Sequence, residues 1–218
     1  MIYERLKNDE AVRAYIRRAD ESLLALGYTE HSFAHVTRVT EVVKYILSKL
    51  DYSEKNIDIG CAAAYMHDIG NLVNRVDHSQ SGAIMAFRIL DKMGVEPEDL
   101  ATVITAIGNH DEGTGVPVNP IAAALILADK SDVRRSRVRN RDVSTFDIHD
   151  RVNYSVTSSE LSIDDAKENV TLDITIDTEY SSVMEYFEIF LGRMVLCRRA
   201  AETLGLCFKL VINGQNIL

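Results

Sequence analysis

The sequence predicts a mainly α-helical bundle that carries a small C-terminal α+β appendage. Three observations predict it. Apolar residues recur at helical spacing through roughly the first 140 positions, with glycine or proline at the expected starts and stops. The pattern then changes to strict alternation in "VTLDITID" (170–177), with two further strand-like runs nearby. Between those runs lies one long amphipathic segment.

Taken in order, the chain opens with a charged, helix-compatible stretch before residue 20. "HVTRVTEVVKYILSKL" then sets Val39, Val42, Val43, Ile46, Leu47 and Leu50 on one stripe. Residues 54–68 form the next helix, closed by Gly70, and "SGAIMAFRILDKMG" another, closed by Gly94. Pro97 opens "PEDLATVITAIGNH", which ends before the loop "DEGTGVPVNP", and Pro120 starts "PIAAALILADKSDVRRS". Beyond about residue 140, "NYSVTSSELSID", "VTLDITID" and "CFKLVIN" suit strands. "SSVMEYFEIFLGRMVLCRRAAETLG" between them is a helix ending at Gly205. The expected division is a bundle over 1–140 and a β-β-α-β appendage over 141–218, packed together without a flexible linker. The long helix of the appendage is expected to pack on the bundle, with a homodimer contact as its alternative use.

Composition narrows the function. With 46% hydrophobic and 26% charged residues, this is an ordinary globular chain. A net charge of −9 argues against a nucleic-acid polymer as partner, although a local cationic patch can still serve a small anion. No apolar run approaches the roughly 20 residues a bilayer span needs, and no signal-peptide core opens the chain, so no membrane partner is expected. Cys61, Cys197 and Cys207 lack CxxC spacing and sit among apolar neighbours. They read as buried free thiols in a reducing, cytoplasmic setting.

Four polar residues fall on otherwise apolar stripes. His35 precedes Val39 and Val42; His67 continues Gly60, Ala63 and Ala64; His110 continues Val103, Ala106 and Ile107; Asp129 continues Ala122, Leu125 and Ile126. A carboxylate is rarely buried unpaired, because desolvating its charge costs several kcal/mol. Neutral histidines cannot offset that charge, whereas a divalent cation shared among four helices accounts for the set.

The motifs "HVTRV", "MHDIG" and "LADKSD", in that order and in a helical context over roughly 25–140, resemble the HD-domain superfamily of metal-dependent phosphohydrolases. The resemblance implies an HD-domain helical bundle with His35, His67, Asp68 and Asp129 as ligands of one divalent metal. It makes Asp68 a bridge to a second ion. Superfamily members with two metals add histidines between HD and the last Asp, and His78 and His110 stand in suitable places. His31, four residues before His35, corresponds to a substrate or supporting position in some members. The cofactor implied is a divalent transition metal (Mn, Fe, Co, Ni or Zn), as one or two ions.

Three His–Asp dipeptides occur. His67–Asp68 is read as chemical, His110–Asp111 as half so with Asp111 solvated, and His149–Asp150 as an accident of composition. A metal site acting on phosphate also needs cations. Lys130 follows Asp129 directly and Arg134 lies one turn on; both are expected to meet the substrate, with Lys130 beside Asp68 as the catalytic pair. Arg137, Arg139 and Arg141 read as a solvated charge run, with Arg38 and Arg75 as weaker anion-binding candidates. Two departures stand out: Asn71 follows Gly70 where many members have lysine, and no Gly-Tyr-Pro motif supports the cyclic-dinucleotide branch. The expected activity is hydrolysis of a phosphomonoester or phosphodiester in a nucleotide or other small phosphorylated substrate. The alternatives are a metal- and nucleotide-binding sensor without turnover, and a di-iron oxidative enzyme on the same scaffold.

Overall fold

A computed structural model describes residues 1–218. Seven helices build the bundle: α1 (Ile2–Lys7), α2 (Glu10–Ala25), α3 (Phe33–Lys49), α4 (Glu54–Met66), α5 (His78–Lys92), α6 (Pro97–Gly108) and α7 (Pro120–Ser131). Local chemistry sets several boundaries. Asp9 caps α2 through the amides of Ala11 and Val12, Ser53 caps α4 through Asn56, and Asn119 caps α7 through Ala122, with Pro97 and Pro120 in the first turns of their helices. α7 is buried almost all round, and α4 is apolar along its whole second half, so these two form the bundle's interior.

The C-terminal part begins with α8 (Ile148–Ser155), then β1 (Val156–Ile163), β2 (Asn169–Ile176), α9 (Val183–Thr203), β3 (Cys207–Ile212) and a short β4 (Gln215–Asn216). The sheet order is β1-β2-β3-β4; β1–β2 and β3–β4 are antiparallel, and β2–β3 are parallel across the α9 crossover. A capping box of Ser182 and Glu185 starts α9, and Gly205, at φ +74°, follows its end. α9 packs on α7, and one continuous cluster of 50 buried apolar residues runs from Leu6 to Ile212 through both parts. No helix is long and apolar enough to cross a membrane.

The element boundaries depart from the sequence expectation at telling places. α4 stops at Met66, so His67 and Asp68 lie on a tight bend leading into a 3₁₀ turn, Ile69–Leu72. That turn is pressed against α5: a β-carbon on Gly70 would overlap the carbonyl oxygen of His78 and stand 2.5 Å from the amide nitrogen of Gly82. α5 starts at His78, not after it, directly behind Asp77 in the left-handed region (φ 56°). α7 ends at Ser131, because Asp132 leaves the helix to give its side chain to His35 and its carbonyl to Arg137. α8 takes up the start of the expected first strand, and Cys207 is exposed on β3 while Cys61 and Cys197 are buried.

Candidate metal centre and its cleft

Six of the expected ligands arrive from different elements at one place. α3 brings His35, the bend after α4 brings His67 and Asp68, α5 brings His78, the chain leaving α6 brings His110, and α7 brings Asp129. All four histidines are buried, and Asp68 is 6% exposed.

The groups gather at two points. At the first, Nε2 of His35 and Nε2 of His67 are 3.2 Å apart. Asp129 Oδ1 lies 3.4 and 3.7 Å from them, and Asp68 Oδ2 lies 3.5 and 3.2 Å. At the second, Nε2 of His78 and Nε2 of His110 are again 3.2 Å apart, with Asp68 Oδ1 at 3.6 and 3.9 Å. Asp68 thus offers one oxygen to each point.

The far side of each ring explains what the points require. Every Nδ1 faces an acceptor: Asp132 Oδ2 for His35 (2.7 Å), Ala64 O for His67 (2.7 Å), Arg75 O for His78 (3.1 Å) and Ile107 O for His110 (2.6 Å). Carbonyl and carboxylate oxygens only accept, so Nδ1 carries the hydrogen and a neutral ring turns its Nε2 lone pair inward. Two facing lone pairs cannot bond to each other; they need a proton or a cation between them. At the first point, burial pulls His67 down, but Asp68 and Asp129 overturn this and raise it to about 10. A proton there does the work of a cation. At the second point, burial, then the positive His67 and Lys130, push His110 down to about 3. Burial lowers His78 too, and its one other donor is Arg75 Nη1 at 3.3 Å. The donor set of imidazole nitrogens and carboxylate oxygens therefore fits a divalent transition metal at both points.

Supporting residues hold these ligands. Asn71 donates Nδ2 to the carbonyl and to Oδ1 of Asp68, both at 3.0 Å. Asp132 is 1% exposed and gathers His35, Arg38, Arg134 and Arg137 around one carboxylate. Burial alone would raise its pKa, but the His35 hydrogen bond and the arginines lower it well below the usual carboxylate range. Sequence reasoning missed Asp132, although it sits inside "LADKSD"; the available signal was a second acid three residues past Asp129, followed by a buried valine.

A cleft of about 420 Å³ borders the centre. Its walls come from the segment 26–31, Arg75, Glu112, Arg137, the first turn of α8, and Phe190 and Arg193 of α9. His31 lines it and stands edge-on to His35 with ring centroids 5.3 Å apart, so it joins cleft to centre.

The cations are distributed differently from the expectation. Lys130 is 4% exposed, and its ammonium is tied to Asp129 (2.7 Å) and Glu112 (2.6 Å), so it neutralises a ligand and does not line the cleft. Arg134 turns to Asp132 and Glu30. Arg137, expected in water, is 4% exposed, bonded to Glu30 O and Asp132 O, and lines the cleft. The reason is the end of α7 at Ser131, which rotates every later residue off the helical register. Arg139 pairs with Asp20. Arg193 had no sequence signal, being one cation on a long amphipathic helix. His149 and Asp150, read as an accident, also line the cleft: Asp147 caps α8 through the Asp150 amide and fixes that first turn. Asp111 is only partly solvated, with Oδ1 3.9 Å from His78 Nε2.

The chain is 26% identical over 213 residues to an uncharacterized protein of Methanocaldococcus jannaschii, covering 87% of this chain and 80% of the relative. The crystal structure of a predicted HD superfamily hydrolase from an uncultured Thermotogales bacterium is 25% identical, covers 60% of this chain and 73% of its own, and aligns with a TM-score of 0.44. The model of the HD domain matches residues 32–151, more than half of the chain and a span that contains all six convergent residues. The chain belongs to the HD-domain family.

Proposed function

We propose that the chain is a metal-dependent phosphohydrolase acting on a nucleotide or another small phosphate ester. The observation that carries this reading is the pairing of two imidazole–carboxylate points with a cleft lined by three guanidinium groups, from Arg75, Arg137 and Arg193. A divalent ion held by His35, His67, Asp68 and Asp129, with a second held by Asp68, His78 and His110, would polarise a phosphoryl oxygen and acidify water.

The chain's own residues supply the rest. Phosphoryl transfer mainly needs positioning and neutralised charge, and Arg75, next to His78, is placed to take a phosphoryl oxygen. The Asp68 carboxylate is held ionised: burial would raise it, but His67 and His35 bring it well below the usual carboxylate range. With one oxygen turned to each point, it is suited to orient a nucleophile between them. Lys130 acts through Asp129, balancing the ligand's charge against Glu112. His31 and the arginines of the cleft would hold the phosphate in place, and Arg134 contributes by fixing Asp132.

The test is phosphate release across a panel of nucleotides and sugar phosphates with Mn, Fe, Co, Ni or Zn supplied, comparing wild type with Asp68→Ala. Phosphate from wild type and none from the variant is expected. A wild type that retains metal yet releases no phosphate, or consumes dioxygen instead, overturns the reading in favour of a sensor or an oxidative enzyme.

A further inference from the structure

The cleft holds more cationic capacity than one phosphate uses, and part of that surplus, Arg193, comes from outside the segment matched by the family model. Arg75 stands at the centre, 3.3 Å from His78 Nε2. Arg137 and Arg193 stand further out, each connected to the ligands through a carboxylate. Arg137 reaches His35 through Asp132, and Arg193 reaches Asp129 through Glu112 and Lys130.

Both outer guanidiniums are held in place yet incompletely used. Arg137 spends Nε on Glu30 O (2.8 Å) and Nη1 on Asp132 O (2.6 Å), and its Nη2 makes no hydrogen bond, although the residue is 4% exposed. Arg193 lies over the Phe190 ring at 4.2 Å and gives Nε to Glu112 (3.0 Å), while Nη1 and Nη2 make no hydrogen bond. A planar guanidinium oriented on one edge presents its other edge as a fork for an oxyanion. Two such forks lining one cleft form a built anion site.

The same cleft also carries groups of the reverse character. Asp147 and Asp150 line it without a cationic partner; Asp147 caps α8, and Asp150 Oδ2 accepts from Asn140 at 3.2 Å. Those carboxylates repel a further anion and accept hydrogen bonds from hydroxyl groups.

We propose that Arg137 and Arg193 hold a second phosphate of the substrate, so that the chain acts on a polyol carrying two phosphate groups, with its hydroxyls turned toward Asp147 and Asp150. This rests on the phosphohydrolase reading for the first phosphate. It assigns to α9 a substrate-binding role in addition to its packing on α7.

The test measures equilibrium binding of adenosine 5′-monophosphate, adenosine 5′-diphosphate and adenosine 3′,5′-bisphosphate to the manganese-loaded protein by calorimetry at low temperature, with phosphate release followed in parallel. Wild type should bind one of the two-phosphate probes about 10- to 100-fold tighter than the monophosphate, the worth of one or two hydrogen bonds between charged groups. Which probe gains distinguishes a diphosphate from a bisphosphate. Arg193→Gln should collapse that preference to about twofold or less, and Arg193→Lys should restore part of it, since charge returns without the fork. Thermal unfolding of each variant identifies any that have lost the fold, and in that event the monophosphate-to-diphosphate ratio of wild type decides alone. Equal affinity for all three probes in wild type, or a preference that survives Arg193→Gln in a folded protein, overturns the proposal. A clear preference without phosphate release overturns the hydrolase reading and leaves the two-phosphate site standing.

Discussion

Replacing Asp132 by asparagine should weaken the metal centre without replacing any proposed ligand. The carboxylate accepts from His35 Nδ1 at 2.7 Å and from Arg134 Nε at 2.8 Å, with Arg38 Nε at 3.3 Å and Arg137 Nη1 at 3.6 Å. An amide can satisfy His35 with its oxygen only by turning its NH₂ toward the guanidiniums, so one contact becomes donor against donor whichever way it sits. Loss of such a supporting partner of a ligating histidine typically costs about 10- to 100-fold in metal affinity, which is roughly 1.4–2.7 kcal/mol. Breaking a buried ion pair costs about 3–5 kcal/mol of stability. The lower end applies here, because Arg137 keeps Glu30 O and Asp132 O, and Arg134 keeps Glu30 Oε2 at 3.1 Å. The assay is competition with a chelator of known affinity on wild type and Asp132→Asn, with urea unfolding of both metal-free proteins to separate stability from affinity. A variant that is less stable but binds metal as tightly as wild type would refute the inference that Asp132 sets the tautomer of a ligating His35.

Three further outcomes follow from the same geometry. Gly70→Ala should drive the start of α5 away by a good part of an ångström, beyond the ~0.2 Å tolerance of a metal–ligand bond, and so remove His78 from the second point while sparing the first. Plasma mass spectrometry should then count about one ion fewer per chain than in wild type. Metal uptake at the first point should release a proton, because His67 in the metal-free protein is raised to about 10 by Asp68 and Asp129 against the pull of burial. Calorimetry at neutral pH in two buffers of different ionisation heat should find roughly one proton released per ion bound there, and heats that do not depend on the buffer would contradict it. The same raised pKa means that His67 stabilises the metal-free fold fully below its unfolded value of 6.5, and that this contribution is lost as pH rises toward about 10. Urea midpoints of the chelated protein at pH 6 and pH 9.5 measure the loss. Lys130→Met should leave the buried Asp129 carboxylate without its ammonium partner, while Glu112 keeps Arg193, and destabilise the metal-free protein by about 3 kcal/mol, with excess divalent metal recovering part of the loss.

Much of the fold was legible because it rests on periodicity. The α3 stripe, the proline starts of α6 and α7, and the alternation of β2 each depend on local pattern, and each forms where the pattern places it. The inward position of His35 was legible for the same reason: a polar residue on an apolar helical stripe has one direction to point; His67 and His110 turn inward one and two residues past the ends of α4 and α6, where the stripe still indicates the side but no longer fixes it. What sequence could not supply is everything decided after a helix ends. The stop of α7 at Ser131 sends Asp132 to His35 and Arg137 into the cleft; within α7, Lys130 meets Glu112, a partner from a distant loop that the helix's own pattern does not name. His149 and Asp150 reach the cleft through a cap made by Asp147, a feature with no apolar period to register it. Arg193 faces the cleft because α9 packs on α7, a tertiary fact that the helix's own sequence leaves open.

The most direct test of the central claim is the metal content of the purified chain, offered Mn, Fe, Co, Ni and Zn in turn and washed of loosely held ions, beside Asp68→Ala. Two points that share one carboxylate predict one or two tightly held ions per chain in wild type and a marked loss in the variant. A wild type that retains none of the five metals would contradict the account, leaving four inward-facing imidazole lone pairs to be satisfied by protons alone.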